Sequence, residues 1–129
     1  MRILIAEDDV VSRKLMWKIL SDYGDCDLVI NGLEAIDAFL LAIKDHEPYD
    51  LICLDIMMPK VDGVKVLKTI RDMEIQNHIE NPVKIIMTTA LGETEVVDDA
   101  FIKGANAYAT KPLDIEKLIE VIKNLKLIS

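Results

Sequence analysis

Short apolar runs alternate with longer stretches of mixed polarity along the whole chain. Ile3-Leu4-Ile5-Ala6 and Leu51-Ile52-Cys53-Leu54 hold no charged or amide side chain, and Val83 to Met87 holds only Lys84. Runs that are apolar on both pleats mark parallel strands covered by helices on each side. Cys26 to Ile30 and Ala105 to Ala109 are weaker strands, expected near the sheet edges. Between these runs the apolar period lengthens to about 3.6 residues, which predicts amphipathic helices. Leu15, Met16, Ile19, Leu20 and Tyr23 form one stripe, closed by Gly24. Ala35, Ile36, Phe39, Leu40 and Ile43 form a second, and Val64, Leu67, Ile70 and Met73 a third. Val96, Val97, Ala100 and Phe101 form a fourth, closed by Gly104. Leu118, Ile119, Ile122 and Leu125 form the last, with Asp114 as N-cap after Pro112. Glu74 to Asn81 is polar, carries no period and reads as a longer loop before the fourth strand.

Strict alternation of five strands and five helices predicts an α/β domain, with a five-stranded parallel doubly wound sheet and right-handed crossovers. Composition bounds what it can be. The 129 residues make one domain, residues 1–129, and 51% hydrophobic residues supply a core. A net charge of −8 argues against non-specific binding to nucleic acid or to anionic membrane. The longest unbroken apolar run, Ala38 to Ile43, is far too short to span a bilayer. Cys26 and Cys53 have no metal spacing and give no disulfide framework, so a reducing, cytoplasmic setting is expected. Cys53 reads as a small buried hydrophobe, Trp17 carries no assigned function, and His46 and His78 read as surface residues.

In doubly wound sheets the working groups stand at the carboxyl ends of the strands. Glu7, Asp8 and Asp9 follow the first strand and Asp55 the third. Thr88, Thr89 and Ala90 follow the fourth, and Thr110, Lys111 and Pro112 the fifth. Asp9 reads as the N-cap of the first helix. The remaining carboxylates repel one another unless a cation offsets them. Mg²⁺ takes oxygen ligands of this kind together with phosphate oxygens. Three carboxylates, one divalent cation and the Lys111 ammonium sum to neutrality, so the site can accept a phosphoryl group. There is no glycine-rich phosphate loop and no Ser/His/Asp set. A carboxylate nucleophile forming an aspartyl phosphate is the chemistry left. Alternation along the strand allows only one of Thr88 and Thr89 to face the site; the pattern before Ala90 favours Thr89 and leaves Thr88 structural.

These residues carry a family resemblance. Ile3-Leu4-Ile5-Ala6-Glu7-Asp8, Asp55-Ile56-Met57-Met58-Pro59 with Asp62-Gly63, Thr89-Ala90, and Tyr108 with Lys111-Pro112 resemble, in order and spacing, the receiver domain of two-component response regulators. Asn31-Gly32 with Glu34-Ala35 adds a weaker match, and the likeness spans essentially the whole chain. It implies a flavodoxin-like (βα)5 receiver fold and a signalling switch rather than an enzyme. It implies that Asp55 is the phosphoacceptor, and that Asp8, Glu7 (through water or as a shifted ligand), Asp55 and the Met57 backbone carbonyl hold Mg²⁺. Thr89 and Lys111 then contact the phosphoryl group, Tyr108 is the switch coupled to Thr89, and Lys111-Pro112 is a cis peptide. The implied partners are a sensor histidine kinase or histidine phosphotransfer protein docking near the first helix, and an unidentified output partner or linked domain. A phosphorylation-dependent homodimer is also compatible with the family. Val97, Asp98, Phe101, Lys103 and Tyr108 are candidates for the output surface. The receiver either stands alone or is cut from a longer protein.

Met57, two after the phosphoacceptor, and Leu91, two after Thr89, are the rate-tuning positions of the family. Both are apolar and cannot orient an attacking water, which predicts slow self-dephosphorylation. Glu34 to Tyr49 is somewhat long for the family. Other classes fit less well. A phosphate-ester hydrolase with an Asp nucleophile typically carries a second Asp where Met57 stands, and flavin binding lacks its phosphate loop. A receiver-like interaction module that never uses phosphate is the remaining alternative, although such a module tends to lose the acids and the lysine retained here.

Overall fold

The computed structural model describes residues 1–90 and 94–129. The element order is β1 (Arg2–Ala6), α1 (Val10–Leu20), β2 (Asp25–Val29), α2 (Gly32–Lys44), β3 (Leu51–Asp55), α3 (Gly63–Gln76), β4 (Lys84–Ala90), α4 (Thr94–Ile102), β5 (Ala107–Lys111) and α5 (Ile115–Asn124). All strand pairs are parallel and the sheet order is β2-β1-β3-β4-β5. The expected five-stranded doubly wound sheet is present, with the two weak strands at its edges.

The apolar runs are central because both of their faces are covered. Ile3 and Ile5 of β1, Cys53 of β3 and Ile86 of β4 pack with Met16, Leu20, Leu118 and Ile122 beneath α1 and α5. Leu4, Ile52, Leu54, Ile85 and Met87 point to the other face and pack with Phe39, Leu67, Ile70 and Ala100 beneath α2, α3 and α4. Cys53 is buried in the first of these cores, and burial pushes its thiol up to about 12, so it behaves as the small hydrophobe expected.

Four helices are capped as aspartate and asparagine side chains dictate. Asp9, Asn31, Asp62 and Asp114 each accept a backbone N–H three residues on. The C-terminal ends are less obvious. His46, His78 and Lys126 adopt positive φ directly after the C-caps of α2, α3 and α5, where glycine is the usual choice; Gly104 does this after α4. At His78 the two bonds of a Schellman closure run from His78 N–H to Ile75 and from Ile79 N–H to Glu74.

The end of α3 and the bounds of β3, β4 and β5 differ from the sequence reading. The helix α3 continues through Glu74, Ile75 and Gln76, which had read as loop. Glu74 is polar but buried: it pairs with Arg71 at 2.7 Å and accepts the Val83 N–H at 2.7 Å. A satisfied tertiary network therefore extends the helix past the end of its apolar stripe. The strand expected at Ala105 to Ala109 lies two residues later, and β3 and β4 include Asp55 and Thr88 to Ala90. The ladder decides this, because Ala90 pairs with Lys111 beyond the apolar stretch.

Candidate functional site

Each candidate side chain is delivered by the end of a strand. Glu7 follows β1 and is 0% exposed, its N–H donating to Val29 O at 3.1 Å. Asp8 is exposed beside it, and Asp9 turns away to cap α1. Arg13 reaches back from α1 to the Glu7 and Asp8 carbonyls at 3.0 and 3.3 Å, fixing this turn. Asp55 ends β3 and is 4% exposed. Its Oδ1 accepts the Met57 N–H at 3.1 Å and its Oδ2 accepts from Lys111 Nζ at 3.0 Å. Lys111 Nζ also lies 2.7 Å from Glu7 Oε2.

The turn after β3 needs Gly63. Its N–H donates to Ile56 O at 2.8 Å, and a Cβ built there would stand 2.1 Å from the Asp55 carbonyl oxygen. Any side chain at 63 therefore displaces the backbone that presents Asp55.

Ligand oxygens of Glu7, Asp8 and Asp55 lie within 4.8 Å of one another. One ammonium faces these three carboxylates, which leaves two negative charges if all ionise. Burial raises Glu7 to about 7, against the pull of Lys111 and the Asp9 N–H, while the charge of Asp55 raises it further. Burial pulls the Lys111 ammonium down, but its bonds to Glu7 and Asp55 and their charges outweigh that and leave it raised. Glu7 Oε2 is buried and meets the Lys111 ammonium at 2.7 Å, but among the described residues it makes no aligned hydrogen bond, which fits a need for more positive charge than Lys111 supplies. An all-oxygen donor set with two excess charges suits a hard divalent cation.

Thr89 is 2% exposed at the end of β4, and its hydroxyl lies 3.3 Å from Ala90 O. Thr88 precedes it, fully buried and paired in register with Asp55. Met57 is exposed beside Asp55, and Leu91 lies outside the described residues. Tyr108 is half-exposed on β5 and stacks edge-on against Phe101 of α4, with ring centroids 5.9 Å apart. The peptide between Lys111 and Pro112 is cis. His46 and His78 are exposed and outside this cluster. The sequence singled out every residue of the acid–lysine cluster; what it set aside is Thr88, whose place beside Asp55 depends on strand register.

Comparisons with known proteins identify the family. The model of the response regulator receiver domain matches residues 3–123. The chemotaxis protein CheY of Bacillus subtilis is 34% identical over 124 residues, covering 94% of this chain and 93% of its own. Two solved structures superpose closely. One is the receiver domain of Ssk1 from Saccharomyces cerevisiae in complex with the histidine phosphotransfer protein Ypd1. It shows a TM-score of 0.83 at 27% identity, covering 99% of this chain and 92% of the other. The other is the CheX–CheY–BeF₃–Mg²⁺ complex from Borrelia burgdorferi. It shows a TM-score of 0.82 at 29% identity, covering 98% and 89%. The chain belongs to the response regulator receiver family. It is a CheY-like receiver of two-component signal transduction, a class of signalling switches.

Proposed function

We propose that Asp55 is the phosphoacceptor of one receiver unit spanning residues 1–129. The observation that carries this is the Lys111 ammonium bridging Asp55 and Glu7 at the carboxyl edge of the sheet, with Asp8 alongside. An Asp55 carboxylate oxygen attacks phosphorus, an O–P bond forms, the N–P bond of a phosphohistidine breaks, and the leaving imidazole takes up a proton. Glu7, Asp8, Asp55 and the Met57 carbonyl are the groups to hold Mg²⁺, which supplies charge neutralisation on the transferring oxygens. Lys111 pairs with one phosphoryl oxygen and the Thr89 hydroxyl bonds another. Thr89 moving inward leaves room that the Tyr108 ring fills, so its packing on Phe101 is the element that changes. Asp98, Phe101, Lys103 and Tyr108 are exposed and Val97 is half-buried, which supports this face as the output surface.

The donor is a histidine kinase or a phosphotransfer protein. Its docking near α1 is supported by the exposed Val11 and Trp17 and by a cavity of about 250 Å³ between α1 and α5, lined by Leu15, Ile19, Tyr23, Ile115 and Ile119 together with the charged Lys18 and Asp22. No helix among the described residues is long and apolar enough to cross a membrane. Apolar, exposed Met57 cannot orient an attacking water, so the phosphorylated form is long-lived.

Intact mass after incubation with acetyl phosphate tests the assignment. One added phosphoryl group that needs Mg²⁺ and is absent in Asp55→Asn supports it, and an adduct on Asp55→Asn removes it. In the same assay, Met57→Asn shortens the lifetime of the adduct; an unchanged lifetime removes the rate-tuning role.

A further inference from the structure

Thr88 stands directly beside the proposed phosphoacceptor. β3 and β4 pair in parallel with Asp55 and Thr88 as partners, and partners on adjacent strands share a face. Their neighbours fix which face. Cys53 and Ile86, two positions earlier and themselves partners, both lie in the core beneath α1 and α5. Ile5 of β1 and Ala109 of β5 pack into the same core, and Glu7 and Lys111 each follow two residues later. Glu7, Asp55, Thr88 and Lys111 therefore crown one face of the sheet; Thr89, expected from the sequence to be the one threonine facing the site, alternates to the other face and, in the proposed reaction, meets the phosphoryl group over the strand end from that side.

Thr88 is fully buried, and among the described residues its Oγ1 has no hydrogen-bond partner. A buried hydroxyl left unpaired is destabilising, and valine has nearly the same shape without that penalty. The donor is thus unspent next to a carboxylate that has received only the Met57 N–H and Lys111. A carboxylate accepts about four hydrogen bonds, so Asp55 has room for another.

We propose that Thr88 is a positioning residue for Asp55. Its hydroxyl donates to the Asp55 carboxyl group when Lys111 shifts to the transferring phosphoryl oxygens, steadying one carboxyl oxygen while the other bonds to phosphorus. The hydroxyl proton is shared and not transferred, so the balance of the reaction is unchanged. A bond made in the reacting state and absent at rest lowers the barrier instead of merely tightening the ground state. The proposal rests on Asp55 as phosphoacceptor.

The test is the rate of adduct formation from acetyl phosphate with saturating Mg²⁺, followed by intact mass, together with urea denaturation. Thr88→Val is expected to slow phosphorylation about ten-fold, the effect of one lost charge-assisted hydrogen bond, while remaining at least as stable as wild type. Thr88→Ser keeps the hydroxyl and stays within about two-fold of wild type. A packing role gives the opposite order, with valine tolerated and serine, which lacks the methyl, impaired; that order overturns the proposal. If valine disturbs folding, Thr88→Ala replaces it, and alanine and serine equally slow also overturn the proposal. Absence of an adduct on the wild type removes the Asp55 assignment and this role together. A wild-type adduct with an unchanged rate in the hydroxyl-free variant removes the role of Thr88 alone.

Discussion

Glu7 is the residue whose environment departs furthest from its ordinary chemistry within the site. It is fully buried, yet its partner Lys111 is shared with Asp55. Its carboxyl is raised from the usual range to about 7, mainly by burial. The folded state therefore holds a proton that the unfolded state has released. This contribution to stability is fully present below the ordinary glutamate range and is lost as pH rises through about 7. Without Mg²⁺, the urea midpoint should fall between pH 5 and pH 8, and Glu7→Gln should flatten that dependence. Equal slopes in the two proteins would show that the carboxyl titrates normally. Gly63 makes a different kind of residue-scale contribution. It was legible only as part of a motif, and the structure gives the reason in the Asp55 carbonyl that blocks any Cβ.

The element that behaves least like its sequence is the end of α3. Arg71 donates to Glu74, to the carbonyls of Val83 and Gly104 and to Asn106 Oδ1, and Asn106 Oδ1 also accepts the Ile85 N–H. One guanidinium thus ties α3 to the start of β4 and to the connection between α4 and β5. Its satisfied bonds allow a buried carboxylate at Glu74 that no periodicity announces. Removing the cation strands that carboxylate, so Arg71→Ala should cost about 3 kcal/mol or more in urea unfolding. The helix ends offer the opposite sign. His78 holds a left-handed conformation at φ 54°, where a Cβ is unfavourable. It is exposed, so His78→Gly loses no packing and should stabilise by about 0.5–1 kcal/mol, read as a raised thermal midpoint. A lowered midpoint would mean that the imidazole makes a contact worth more than the relieved strain.

At the scale of the molecule, the sheet order brings β1, β3, β4 and β5 side by side, so residues from Glu7 to Lys111 meet at one edge. The two cores lie on opposite faces of the sheet, and the acid–lysine cluster closes the one beneath α1 and α5. Three carboxylates held within 4.8 Å before any cation arrives repel one another, and a cation binding only the folded state stabilises it by mass action. Thermal midpoints should therefore rise with Mg²⁺ concentration, and Asp8→Asn, at an exposed position with little packing to lose, should weaken that rise without unfolding the protein. A rise of the same size in Asp8→Asn would take this aspartate out of the metal site.

The sequence by itself determined the alternation of strands and helices, the central place of three strands, the caps at Asp9 and Asp114, and the acid–lysine set. Hydrophobic periodicity and capping are local properties, and the strand-end acids follow from them once the sheet is parallel. Only the tertiary structure decided where α3 stops, because Glu74 is held in the helix by Val83, nine residues away, and by Arg71, which itself reaches Gly104 and Asn106. Only it decided that histidines close two helices, since a positive φ on a non-glycine residue has no pattern of its own. The place of Thr88 is of the same kind. Alternation along β4 says that Thr88 and Thr89 face opposite ways, but which of them stands beside Asp55 is fixed by register between two strands, and register belongs to the assembled sheet.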